Sequence, residues 1–192
     1  MARETITKWE VNESSNKMLF VNDLYAASGE HEGYRAIHKY GHNLDINSAF
    51  ETVWNVGGTY SYLSSATILK ISSDDAKDDN VGGVGARTVL IQGLDANYKE
   101  IEETVELDGQ DEVNTTKEYL RVYRIIVQTV GSEGDNAGTI YAGTGTVLSG
   151  VPANKYASIP EGYNQTMMAV YTVPADTTAY ITQFYCSPDS QA

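Results

Sequence analysis

Between Gly85 and Leu107 the chain reads GARTVLIQGLDANYKEIEETVEL, and no other stretch restricts the fold as strongly. Ala86 to Leu94 is β-branched and apolar, the composition of a strand. Asp95-Ala96-Asn97-Tyr98 supplies turn chemistry, because Asp and Asn side chains bond their own backbone and tolerate left-handed geometry. Beyond it Ile101, Val105 and Leu107 fall on one strand face, with Glu102, Thr104 and Glu106 on the other. The spacing predicts an antiparallel hairpin with a wet outer face. It specifies architecture and singles out no catalytic group.

From Gly57 onward the same kind of pattern repeats. Strands are expected at Tyr60–Leu63, Ala66–Ile71, Arg87–Leu94, Ile101–Leu107, Tyr119–Val130, Gly138–Ala142, Gln165–Val173 and Thr178–Cys186, each bounded by Gly, Asn, Asp or Pro. Tyr119–Val130 is apolar on both faces around Ile125, Ile126 and Val127, which suits a central strand bent across two sheets. Val173-Pro174-Ala175-Asp176-Thr177 reads as a tight turn that joins the last two strands into a second hairpin. Strands at this spacing without alternating helices predict an all-β fold, an antiparallel, jelly-roll-like β-sandwich over residues 46–192. Val89, Val105, Ile126 and Ile181 are the expected core. A short helix is expected over Asn47–Trp54, with Asn47 or Ser48 as cap and Glu51 in its first turn.

Residues 1–45 differ. Their apolar pieces are short and interrupted, so they read as an irregular, extended N-terminal arm. Trp9, Met18, Phe20 and Tyr25 make it too apolar for a free tail and too broken for an independent core. These side chains are expected to bury against a partner and order on assembly.

A chain of 192 residues buries roughly 70% of the surface its unfolded form exposes and needs no disulfide or metal staple. Its net charge of −13 argues against nucleic acid and against an anionic membrane as partners. With 14 Tyr against 3 Phe, its aromatic rings suit half-exposed strands and contact surfaces, where the ring is buried and the hydroxyl stays wet. The single cysteine, Cys186, rules out an internal disulfide and is expected to be a buried, inert thiol. Ala2–Glu13 holds no apolar signal-peptide core, and no apolar run approaches a membrane span, so synthesis in a cytoplasm without the usual export is expected.

Chemistry-bearing clusters are few. Ser72–Gly85, SSDDAKDDNVGGVG, crowds Asp74, Asp75, Asp78 and Asp79 into a Gly-rich loop. Hard cations take several oxygens from such loops, so calcium is the one candidate cofactor and these four residues the candidate metal ligands. The spacing is not that of an EF-hand, and a solvated acidic loop is the competing reading. Gly82, Gly83 and Gly85 lack the following Lys and helix of a phosphate cradle. His38 and His42 stand four apart, but Gly41 breaks any helix between them and no third ligand is at hand. Glu100, Glu102, Glu103 and Glu106 read as a solvent face before they read as a glycosidase pair. No catalytic residue emerges, and the chain reads as non-enzymatic.

Several of these segments together carry a resemblance. Tyr40-Gly41-His42-Asn43-Leu44-Asp45-Ile46, Val53-Trp54 with Gly57-Gly58-Thr59-Tyr60, Ile71–Asp74 through Gly85-Ala86-Arg87-Thr88-Val89, Gly93–Tyr98, Leu120-Arg121-Val122, Asn136-Ala137-Gly138 and Val170–Ala175 resemble structural virion proteins of tailed, mostly marine, bacteriophages. The resemblance spans roughly Tyr40 to Cys186. It departs at His42, where the group has Arg, and at Asp176, where it has Gly. It implies a virion component with no enzymatic residues. The leading expectation is a capsid-associated decoration or cement protein that stabilises the head. Its partners would be the major capsid protein or other virion proteins, and it would be a homo-oligomer located in the virion. The alternative is a tail or fibre component that binds a host surface carbohydrate through Tyr and Trp faces and the acidic loop. A glycan-processing enzyme is a distant third.

Overall fold

A computed structural model describes residues 33–46 and 48–187. The chain divides into two units, Met1–His38 and Lys39–Ala192. All strands described here belong to the second. The residues named for assembly, Trp9, Met18, Phe20 and Tyr25, lie outside the described residues.

The fold is all-β. The strands are β1 (Thr67–Ser73), β2 (Ala86–Leu94), β3 (Glu100–Glu106), β4 (Val113–Tyr119), β5 (Arg121–Val130), β6 (Ile140–Leu148) and β7 (Val151–Ile159). They form two antiparallel sheets of a β-sandwich, one ordered β4-β1-β6-β7 and the other β3-β2-β5. One core joins them. Leu69, Ile71, Ile140, Ala142, Ala157 and Ile159 come from the first sheet, and Val89, Ile91, Val105, Val122 and Ile125 from the second. Trp54, Tyr60, Met168 and Val170, from flanking irregular segments, close it.

The β2–β3 hairpin forms as its sequence predicts, with Val89 opposite Val105 and Gly93 opposite Ile101. Asp95 Oδ1 accepts the Asn97 N–H at 2.8 Å and the Lys99 N–H at 2.9 Å. Tyr98 takes the left-handed conformation, φ 58°. Gly93 is required where β2 meets β5, since a Cβ there would strike Arg121 O and the Tyr119 ring.

Other expectations are corrected. The run expected as one central strand bent across two sheets is an edge strand, β5, confined to one sheet, while its first residue, Tyr119, ends β4 in the other. The chain crosses the sandwich at Leu120, whose N–H is held by Leu94 O at 2.8 Å. Ile125 is fully buried while Ile126 is only half-buried, because the two point to opposite faces and only one faces the partner sheet. No helix forms over the described part of 47–54; Trp54 instead bridges Met168. Segment 60–63 is coil. The expected Gln165–Val173 and Thr178–Cys186 hairpin does not form. Residues 164–168 lie against β5 and Trp54 through isolated bridges, and 178–187 has no ladder partner among the described residues. Ile181 is therefore 88% exposed and not in the core, and Cys186 is exposed. Strands β4 and β7 were not anticipated. Their sequences, VNTTKEY and VPANKYASI, are polar or interrupted, as edge strands are.

Candidate functional site

The acidic loop runs from β1 to β2 and so crosses between the sheets, as does the β5–β6 connection, residues 131–139. Asp78 ties the two together. Its side chain is fully buried. Oδ1 accepts the Ala86 N–H at 2.7 Å and the Ala137 N–H at 2.8 Å, and Oδ2 accepts the Ser73 hydroxyl at 2.6 Å and the Gly138 N–H at 2.9 Å. Two lone-pair directions on each oxygen are thus occupied. A third crossover joins in through its backbone, Gly109 N–H to Asp78 O at 2.9 Å. Gly85 and Gly138 let the loops approach so closely; a Cβ on either would meet an aspartate carboxylate oxygen, Asp78 Oδ1 or Asp74 Oδ1.

The other three aspartates turn to separate donors. Asp74 accepts the Thr139 N–H at 2.7 Å and the Tyr141 hydroxyl at 3.2 Å. Burial, with the Asp74 charge beside it, raises the Tyr141 hydroxyl above its ordinary pKa and keeps it a donor. Asp75 accepts the Lys77 N–H at 2.8 Å and Asp79 the Val81 N–H at 2.6 Å, both local Asx turns. Among the described residues no group of three His, Cys, Asp or Glu side chains is placed to hold a metal ion. Residues proposed as calcium ligands thus act, in this geometry, as anchors for loop backbone.

Of the glutamates, Glu103 accepts the Thr116 and Lys117 N–H groups at 2.9 and 3.0 Å and the Thr116 hydroxyl at 2.8 Å, which caps the outer edge of β4. Glu102 bonds the Gln92 amide at 3.1 Å. Neither is presented to a cleft as a glycosidase pair requires. His38 and His42 are exposed.

Aromatic side chains gather around two cations. The Arg121 guanidinium lies 4.9 Å from the Tyr62 ring centre and 5.5 Å from that of Tyr98, and donates to Leu63 O at 2.9 Å and Leu120 O at 2.7 Å. Tyr62 continues edge-on into Tyr60 and then Trp54. Lys39 donates to Tyr123 O and faces the Tyr123 ring, which packs edge-on against Tyr171. Burial, reinforced by Arg124, lowers the Lys39 pKa to about 7. Sequence reasoning missed both clusters, because the partners lie tens of residues apart.

A shallow groove of about 250 Å³ runs beside the outer edge of β7, lined by Trp54, Val56 and Thr59 on one wall and Ala153, Asn154 and Tyr156 on the other. Elsewhere large apolar side chains stand in solvent. Leu44, Ile46 and Phe50 do so in the segment before Trp54, and Tyr180, Ile181, Phe184 and Tyr185 do so at 79%, 88%, 86% and 82% exposure. No helix among the described residues is long and apolar enough to cross a membrane. No family model, curated protein or solved structure matches the chain.

Proposed function

We propose that this chain is a non-enzymatic structural protein of a bacteriophage virion, most consistent with a capsid-associated decoration or cement subunit. One observation carries the reading: segment 178–187 presents four large apolar side chains to solvent while the sandwich beside it is complete without them. Exposed apolar surface of that kind marks an interaction site. A subunit that works by adding buried interface between neighbours needs such segments and needs no reactive centre. Two further points support it. The carboxylates that sequence alone offered for chemistry, Asp74, Asp78 and Glu103, hold backbone. The resemblance to tailed-phage structural proteins, roughly Tyr40 to Cys186, includes every strand of the sandwich.

The alternative, a tail or fibre component that grips a host carbohydrate, would draw on Tyr62 and Tyr98, but Arg121 already stacks on both rings. Quantitative mass spectrometry of purified particles separates the readings. Copy number matching the repeating lattice of the head supports the cement role, because symmetric shells present each site many times. A copy number matching the symmetry of the tail supports the alternative. Absence from purified particles overturns both.

A further inference from the structure

Segment 178–187 has the composition of a strand but joins no sheet among the described residues. Its sequence, TAYITQFYCS, is rich in Thr, Tyr, Ile and Phe, the residues that fit a pleated ladder. Yet it has no ladder partner among the described residues. Addition of a strand to an exposed edge of another chain is one way such a local preference is met.

Resting on the structural role proposed above, we propose that segment 178–187 of one copy docks in the groove along β7 of a second copy of this chain. The four sheet edges are not equivalent. The β4 edge is capped by Glu103. The β5 edge is covered by residues 164–166, with Val127 N–H to Asn164 O and Thr166 N–H to Ile125 O at 2.8 and 3.0 Å. The β3 edge strand carries Glu100, Glu102, Glu103 and Glu106, and charge of one sign discourages pairing. On β7 the one charged side chain is Lys155, and its outer backbone meets, among the described residues, the Tyr60 hydroxyl on Tyr156 O at 2.9 Å. The strand and its groove thus form a non-acidic strip on a chain of net charge −13. The docking segment carries no charge at all, so two strongly acidic copies can meet here without opposing carboxylates.

The area is sufficient when two copies exchange segments. A buried aromatic covers roughly 150–250 Å², and alternation puts two of the four side chains on each face of an added strand, so about 250–350 Å² of the segment meets the groove. With an equal share on the receiving groove, one docked segment removes roughly 500–700 Å² from water, and reciprocal exchange brings the total to about 1,000–1,400 Å², the lower range of specific interfaces. Val56, half-turned to solvent in the groove wall, is the natural seat for one of these side chains.

Sedimentation or light scattering of the full chain at roughly 50 μM, above the Kd of such interfaces, tests the proposal. The wild type is expected to exceed its 21.0 kDa monomer mass. Ile181→Lys with Phe184→Lys, and separately Val56→Lys with Ala153→Lys, are each expected to return it to that mass. All four positions are exposed, so an unchanged urea midpoint at monomeric concentration confirms that each variant is folded. A monomeric wild type, or an oligomer that survives both pairs of substitutions, overturns the proposal. If the wild type is monomeric and the 181/184 variant still loses incorporation into particles, the segment docks on a different virion protein: the second-copy proposal falls and the structural role stands. If neither mass nor incorporation responds, both fall.

Discussion

Replacing Asp78 by Ala should remove the pin that joins the crossover loops. The carboxylate accepts from three backbone N–H groups, those of Ala86, Ala137 and Gly138, and from the Ser73 hydroxyl. The hydroxyl can rotate to another acceptor, but the backbone donors cannot. Each buried donor left unmet costs about 1–3 kcal/mol. Against that sum, removing the buried carboxylate recovers several kcal/mol of its desolvation penalty, and water can enter the vacated space. A net loss of about 3–5 kcal/mol is expected, a large part of the 5–15 kcal/mol typical of a domain. With a urea m-value near 2 kcal/mol/M, the unfolding midpoint should fall by about 1.5–2.5 M. Asp78→Asn keeps one acceptor oxygen but turns an NH₂ toward donors, so about 2–4 kcal/mol is expected. Unfolding followed by tryptophan fluorescence, with Trp54 in the core, reads the change. Ser73→Ala should cost less in the Asp78→Ala background than in the wild type, since the hydrogen bond the two share is already gone and only the Asp75 N–H bond to the Ser73 hydroxyl at 3.2 Å is lost. A loss below about 1 kcal/mol for Asp78→Ala, or full additivity with Ser73→Ala, would refute the reasoning.

Removing divalent ions with EDTA should leave the melting temperature unchanged, because the four aspartates are turned to separate backbone donors; a fall on chelation would show that they regroup around a cation. Ile125→Ala should cost about 2–5 kcal/mol and Ile126→Ala clearly less in the same denaturation assay, and the reverse order would invert the assigned strand faces. Lys39 has a folded pKa near 7, below its ordinary 10.5, so the unfolded state binds more protons between those values. Stability should therefore rise as pH goes from 7 toward 10, and Lys39→Met should flatten that slope. Above pH 10 the buried Tyr60 and Tyr119 hydroxyls, whose pKa values burial raises, reverse the trend, so the comparison belongs below that point.

Local signals were enough for some of this molecule. The β2–β3 hairpin was legible because strand alternation and the Asp95 turn act within twenty residues and agree with each other. Val89 and Val105 were legible as core for the same reason, since period-two alternation assigns faces once the strand is known. Alternation failed where both faces are apolar: Ile125 and Ile126 look alike in sequence, and only the position of the opposite sheet chooses between them. Edge strands β4 and β7 were hidden because an edge needs little hydrophobicity to pair on one side. The acidic loop was found as a cluster, yet its chemistry was decided by distance in space. Donors from Ala137, Gly138 and Thr139, some sixty residues on, turn Asp78 and Asp74 into anchors where composition suggested ligands. Segment 178–187 shows the opposite case. Its sequence favours a strand, but a ladder needs a second edge, and among the described residues none pairs with it: the β4 edge is capped by Glu103 and the β5 edge is covered by residues 164–166.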